Sequence, residues 1–84
     1  MDSSYENMRK AIDVMTAWAT DDPNSTKFSV ERAASYASEA PDGETQLLIG
    51  LINLSGNLLV RLEHETNKSM QWHLQDIAAK TLDK

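Results

Sequence analysis

The feature that most constrains this chain is the run from Thr45 to Val60, TQLLIGLINLSGNLLV, which contains no charged side chain. Elsewhere charges are frequent, since 25% of all residues are Asp, Glu, Lys or Arg. A helix that crosses a bilayer needs roughly 20 predominantly apolar residues. This run is shorter and includes the amides of Gln46, Asn53 and Asn57. We therefore interpret it as a helix buried inside protein and expect no contact with a membrane.

Four segments have the periodicity of a helix, and none sustains the alternation of a strand. Ser29 and Ser69 are placed as N-caps of the second and fourth segments. The sequence therefore predicts an all-α fold, a single-domain bundle of four helices over residues 1–84, with the apolar third helix at its centre. The predicted helices span residues 4–20, 30–39, 43–66 and 70–82.

Leucines recur at helical spacing along the third predicted helix, and further apolar residues widen this ridge to roughly two-thirds of the circumference. A surface helix needs only one apolar face, so this helix requires partners on two or more sides. Because a small domain without disulfides often gains stability by pairing with another chain, we expect self-association. The residues predicted to form the contact surface are Leu47, Leu51, Leu54, Leu58, Ile49, Val60, Asn53 and Trp72.

The two tryptophans lie at different positions on their helices. Trp18 belongs to the apolar half of the first helix, and we expect it in the core. Trp72 lies outside the apolar stripe of the fourth helix. A large aromatic side chain in that position is typical of an interface anchor, and also of a ring half-buried against a neighbouring turn. The sequence leaves both interpretations of Trp72 open.

Composition restricts the classes of partner and compartment. The net charge is −5, from thirteen acidic and eight basic residues. This opposes binding to nucleic acid, whose affinity comes from Lys and Arg that neutralise phosphates. The N-terminal segment MDSSYENMRK lacks the apolar core of a signal peptide. We therefore expect an acidic cytoplasmic protein.

The residues that commonly perform catalysis do not form a recognisable motif here. Absence of cysteine excludes a thiolate zinc site and a cysteine nucleophile. His64-Glu65 is not followed by the second histidine of the H-E-x-x-H zinc motif. The chain also has no Gly-rich phosphate loop and no Gly-x-Ser-x-Gly element. We expect no enzymatic activity, no metal, no cofactor and no small-molecule substrate.

The leading functional hypothesis is a non-enzymatic helical protein that acts through protein–protein interaction as a homodimer. One alternative comes from the segment LEHETNKS, residues 62–69, followed by Leu74 and Ile77. This segment resembles the helix–turn–helix part of ribbon-helix-helix DNA-binding proteins. The resemblance implies a DNA-binding regulator over residues 50–82, with a short strand at residues 50–54 that pairs across a dimer and reads the major groove.

A second alternative is an acidic inhibitor that occupies the basic nucleic-acid site of another protein. Negative charge steers such encounters over long distances. The acidic residues that would serve this role lie mostly in the first half of the chain: Asp13, Asp21, Asp22, Glu31, Glu39, Asp42 and Glu44.

Overall fold

The computed structural model describes residues 3–82. It contains four helices: α1 (Ser3–Trp18), α2 (Ser25–Ala37), α3 (Gly43–Thr66) and α4 (Met70–Leu82). No strand occurs within these residues. The predicted all-α fold of four helices is therefore confirmed, and the predicted bounds of the third and fourth helices are those of α3 and α4. Residues 50–54 lie inside α3, so the strand implied by the ribbon-helix-helix resemblance is wrong.

The predicted start of the second helix is also wrong, because α2 begins at Ser25 and not at residue 30. Ser29 lies inside α2 and is buried, and its hydroxyl donates to a carbonyl oxygen of the same helix at 3.0 Å. The preceding turn starts the helix earlier. In that turn the N–H of Asn24 donates to Asp22 Oδ1 at 2.7 Å, an Asx-type turn that leads directly into α2.

Both α1 and α2 end two residues before their predicted ends, residues 20 and 39. In each case a hydroxyl just past the helix donates to one of its last carbonyl oxygens. Thr20 Oγ1 donates to the carbonyl of Ala17 at 3.0 Å, and Ser38 Oγ donates to the carbonyl of Ala34 at 2.9 Å. Such side-chain bonds compete with the backbone ladder, which explains the early ends.

The chain divides into two units, and the boundary falls inside α3 between Leu54 and Ser55. The N-terminal unit contains α1, α2 and the first half of α3. The C-terminal unit contains the second half of α3 and α4. Because the boundary lies within a helix and not in a linker, α3 contributes to both units.

Small residues dominate the core of the N-terminal unit. A Cβ added at Gly50 would lie 2.7 Å from the carbonyl carbon of Asn7 and 3.3 Å from the Cβ of Ala11. The backbones of α1 and α3 therefore approach each other closely at this point, which glycine permits because it has no side chain. Among the residues whose burial is described, the buried hydrophobic ones are Ala11, Val14, Ala17 and Leu47.

Candidate protein-binding surface

The turn between α3 and α4 is defined by residues 67–69. Asn67 has a φ of 58°, in the left-handed region that asparagine tolerates and that commonly ends helices. Its N–H donates to the carbonyl of Glu63 at 2.9 Å. Ser69 Oγ then accepts a hydrogen bond from the N–H of Trp72 at 3.0 Å. This bond confirms Ser69 as the N-cap of α4.

Polar contacts beside the turn hold α4 against the end of α3. Glu63 Oε2 accepts from the N–H of Met70 at 3.2 Å, and Thr66 Oγ1 lies 2.8 Å from His73 Nε2. No residue from 55 to 82 is buried. The described part of the C-terminal unit therefore has helices and a defined turn, but no hydrophobic core of its own.

Large apolar side chains of this unit are instead exposed. In α4, Leu74 is 52% and Ile77 is 56% exposed. At about 100° per residue, Leu74 lies about a quarter-turn around α4 from His73, one of the residues that contact α3, and Ile77 lies about one helical turn beyond His73. We use the name C-terminal apolar surface for the exposed large apolar residues between positions 55 and 77, which are each at least 40% exposed and lie on more than one side of their helices: Leu58, Val60, Leu62, Trp72, Leu74 and Ile77.

Trp72 lies at the surface, with 42% of its area exposed. Lys68 Nζ lies 4.5 Å from the centroid of its ring, and the His73 ring meets it edge-on at 5.1 Å. Trp18 is 53% exposed, so its expected place in the core is wrong. The buried face of α1 is narrow and includes Ala17, and a step of about 100° turns Trp18 away from it.

The predicted leucine ridge does not form one surface. Leu47 is 7% exposed and belongs to the core of the N-terminal unit, and Leu51 and Leu54 are half-buried. Ile49 is 42% exposed, and Asn53 is exposed as well. Of the predicted contact residues, Leu58, Val60 and Trp72 belong to the C-terminal apolar surface. Leu62, Leu74 and Ile77 were not predicted, because periodicity identified apolar stripes without showing which of them is covered.

The interpretation of the uncharged run as a helix enclosed by protein is wrong for most of its length. From residue 45 to residue 60, only Leu47 and Gly50 are buried. By length and composition alone, α3 is also long and apolar enough to cross a membrane, with a mean hydropathy of 1.2 over its best 18-residue window, 11% of which is buried. Core helices of other proteins reach the same length and composition.

An open groove of about 450 Å³ lies between α1 and α2 in the N-terminal unit. Three of its side chains are bound to one another, since Asp13 accepts from the hydroxyl of Tyr36 at 2.6 Å and pairs with the guanidinium of Arg32. The Tyr36 hydrogen bond is the largest cause that holds the pKa of Asp13 below its usual value; desolvation opposes it, and Arg32 also lowers the pKa. The same bond raises the pKa of Tyr36. These groups join two helices, and we assign them no catalytic role.

Four of the seven acidic residues considered for an inhibitor have partners within the chain. Besides Asp13 and Asp22, these are Glu39, which lies 3.4 Å from Lys10 Nζ, and Asp42, which accepts from Gln46 Nε2 at 2.8 Å. This disfavours the inhibitor hypothesis. Within residues 3–82, no group of three His, Asp or Glu side chains could hold a metal ion.

Comparisons with protein-family models, curated proteins and solved structures gave no match for this chain.

Proposed function

We propose that this protein works without catalysis, by binding other protein chains through exposed apolar helix surface, and that one partner is a second copy of itself. One observation carries the proposal. Sixteen large hydrophobic side chains are exposed in the described residues, whereas only four hydrophobic residues are buried and two of those are alanine. Exposed apolar side chains that outnumber the buried ones to this extent leave area that a binding partner can cover.

The accessible surface supports the same proposal. The chain exposes 6468 Å², while a folded monomer of 9.4 kDa is expected to expose about 5,000 Å². The excess of roughly 1,500 Å² is larger than the roughly 800 Å² that each partner contributes to a standard interface. Pairing with another chain would therefore account for the excess.

The site chemistry favours binding over catalysis. In the groove between α1 and α2, Asp13, Arg32 and Tyr36 already satisfy one another. A catalytic acid or base needs a proton-transfer position open to substrate. We infer that this cluster contributes to the contact between α1 and α2.

Sedimentation velocity on the full chain tests the proposal over a range of micromolar concentrations. We expect a mass of two chains at high concentration and a shift toward one chain on dilution. A mass of one chain at every concentration would remove self-association from the proposed function.

A further inference from the structure

We infer that the C-terminal unit is the dimerisation module of this protein, with the same unit of a second copy covering its apolar surface. In this arrangement the α4 helices and the C-terminal halves of α3 from both chains form one four-helix core. The inference rests on the proposed function and specifies both the partner and the surface.

The first argument is the absence of a core. The C-terminal unit comprises residues 55–84, and none of residues 55–82 is buried. Structures of fewer than about 40 residues usually need a disulfide, a metal or an oligomeric partner to stay folded. The chain has no cysteine from which a disulfide could form. A two-helix unit with this much exposed apolar area therefore needs another chain to cover that area if it is to stay folded.

The second argument is the distribution of charge. Residues 1–54 contain nine acidic and four basic side chains, whereas residues 55–84 contain four of each. The whole net charge of −5 is thus carried by the first part of the chain. Like charges repel when two identical surfaces meet. Exposed apolar residues occur in both units, but the balanced charge of the C-terminal unit favours contact with its own copy.

The third argument is the spacing of the stripe on α4, in which Met70 is half-buried and Leu74, Ile77 and Thr81 are exposed. Met70, Leu74, Ile77 and Thr81 follow one another at intervals of four, three and four residues, the spacing that lines the seam between packed helices. In a symmetric dimer the same patch from both chains meets at the axis. Two units then supply the four helices that can enclose such stripes in a bundle.

Paired substitutions provide the main experiment. We compare the full-length double variant Leu74→Gln/Ile77→Gln with the control Ile12→Gln/Val30→Gln, which changes two exposed residues of the N-terminal unit. Sedimentation should show that the Leu74→Gln/Ile77→Gln variant raises the dimer dissociation constant about a hundredfold or more, because four buried side chains per dimer are lost. We expect the control to change it less than about threefold.

The outcomes separate this inference from the proposed function. If the wild-type dimer survives the Leu74/Ile77 changes and the control breaks it, the dimer uses another surface. The inference is then overturned, while the proposed function stands. A wild-type chain that is monomeric in solution and floats with phosphatidylcholine vesicles overturns both, since a membrane would then cover the apolar surface.

Labelling gives a second measurement that does not depend on weakening the interface. Because the chain has no native cysteine, single variants Ala78→Cys and Thr26→Cys can be labelled with pyrene at exposed positions of α4 and α2. We expect excimer emission that grows with concentration from the label at position 78 and none from position 26. Excimer emission from position 26 alone would contradict the proposed module.

Discussion

Gly50 and Gly56 belong to the same helix but have different surroundings. A Cβ at Gly50 would meet backbone atoms of Asn7, which cannot move aside as the end of a flexible side chain can. A Cβ at Gly56 would meet nothing within 4 Å. Gly50 is therefore needed for the close approach of α1 to α3, whereas Gly56 only lowers the helix propensity of α3.

We predict opposite effects when each glycine is replaced by alanine. Gly50→Ala should lower the free energy of unfolding by about 1–3 kcal/mol, since the added methyl forces the backbones of α1 and α3 apart. Gly56→Ala should raise it by about 0.5–1 kcal/mol, through reduced entropy of the unfolded chain. Chemical denaturation followed by circular dichroism measures both. Equal effects at the two positions would contradict the close contact at Gly50.

The hydrogen bond between Tyr36 and Asp13 predicts that the stability of the fold depends on pH in both the acidic and the alkaline range. Asp13 has a lowered pKa in the folded state, so its contribution to stability is present above the unfolded value of about 3.9 and is lost as the pH falls through the folded pKa. Tyr36 has a raised pKa, so its contribution is present below about 10 and is lost as the pH rises through the folded pKa.

Tyr36→Phe should remove the largest cause of both shifts. We expect the pKa of Asp13, followed by carboxyl NMR, to move up from its lowered value. The matched control is Tyr5→Phe, because Tyr5 is the other tyrosine and is 70% exposed. An Asp13 titration that responds equally to both variants would show that Tyr36 does not act through this hydrogen bond.

At the scale of elements, the bounds of α3 and α4 follow from local signals. Asn67, in the left-handed conformation, ends α3, and Ser69, as the N-cap, starts α4. Both effects come from the residue type at one position, so they can be recognised in the sequence. The prediction of Ser29 as an N-cap is wrong because a serine followed by a valine and an acid also occurs inside helices. The Asx turn at Asp22, which starts α2 earlier, is visible only in the folded backbone.

Ser69 should be unusually important for α4, because no residue of that helix is buried. We expect Ser69→Ala to cost about 1 kcal/mol, since the N–H of Trp72 loses its partner. Ser69→Asp is the matched control and should keep the cap. Amide exchange in the first turn of α4 provides the readout. Unchanged protection in Ser69→Ala would mean that packing, and not the cap, determines the start of α4.

The candidate surface could be predicted only in part from the sequence. Periodicity shows that one side of a helix is apolar, but it does not show whether another helix covers that side. Leu47 and Leu58 belong to the same ridge by spacing, yet one is 7% and the other 52% exposed. The difference arises because Leu47 belongs to the unit that contains α1 and α2, whereas Leu58 belongs to the coreless C-terminal unit.

At the scale of the whole molecule, the two units differ in how they can be stabilised. The N-terminal unit has buried hydrophobic residues, a close contact at Gly50 and an ion pair between α1 and α2. The C-terminal unit has a cap, a turn and polar contacts beside it. If a second copy covers the C-terminal unit, the folding of this unit is coupled to association and depends on protein concentration.

This coupling gives a prediction for hydrogen exchange measured at two protein concentrations. Amides of α1 and α2 should be protected equally at both, because their contacts lie within one chain. Amides of α4 should exchange faster in the dilute sample, in proportion to the fraction of monomer measured by sedimentation. The Leu74→Gln/Ile77→Gln variant serves as the control and should show the dilute pattern at both concentrations. Protection of α4 that is high and independent of concentration in the wild type would show that α4 is stable within a single chain, and the coupling would be excluded.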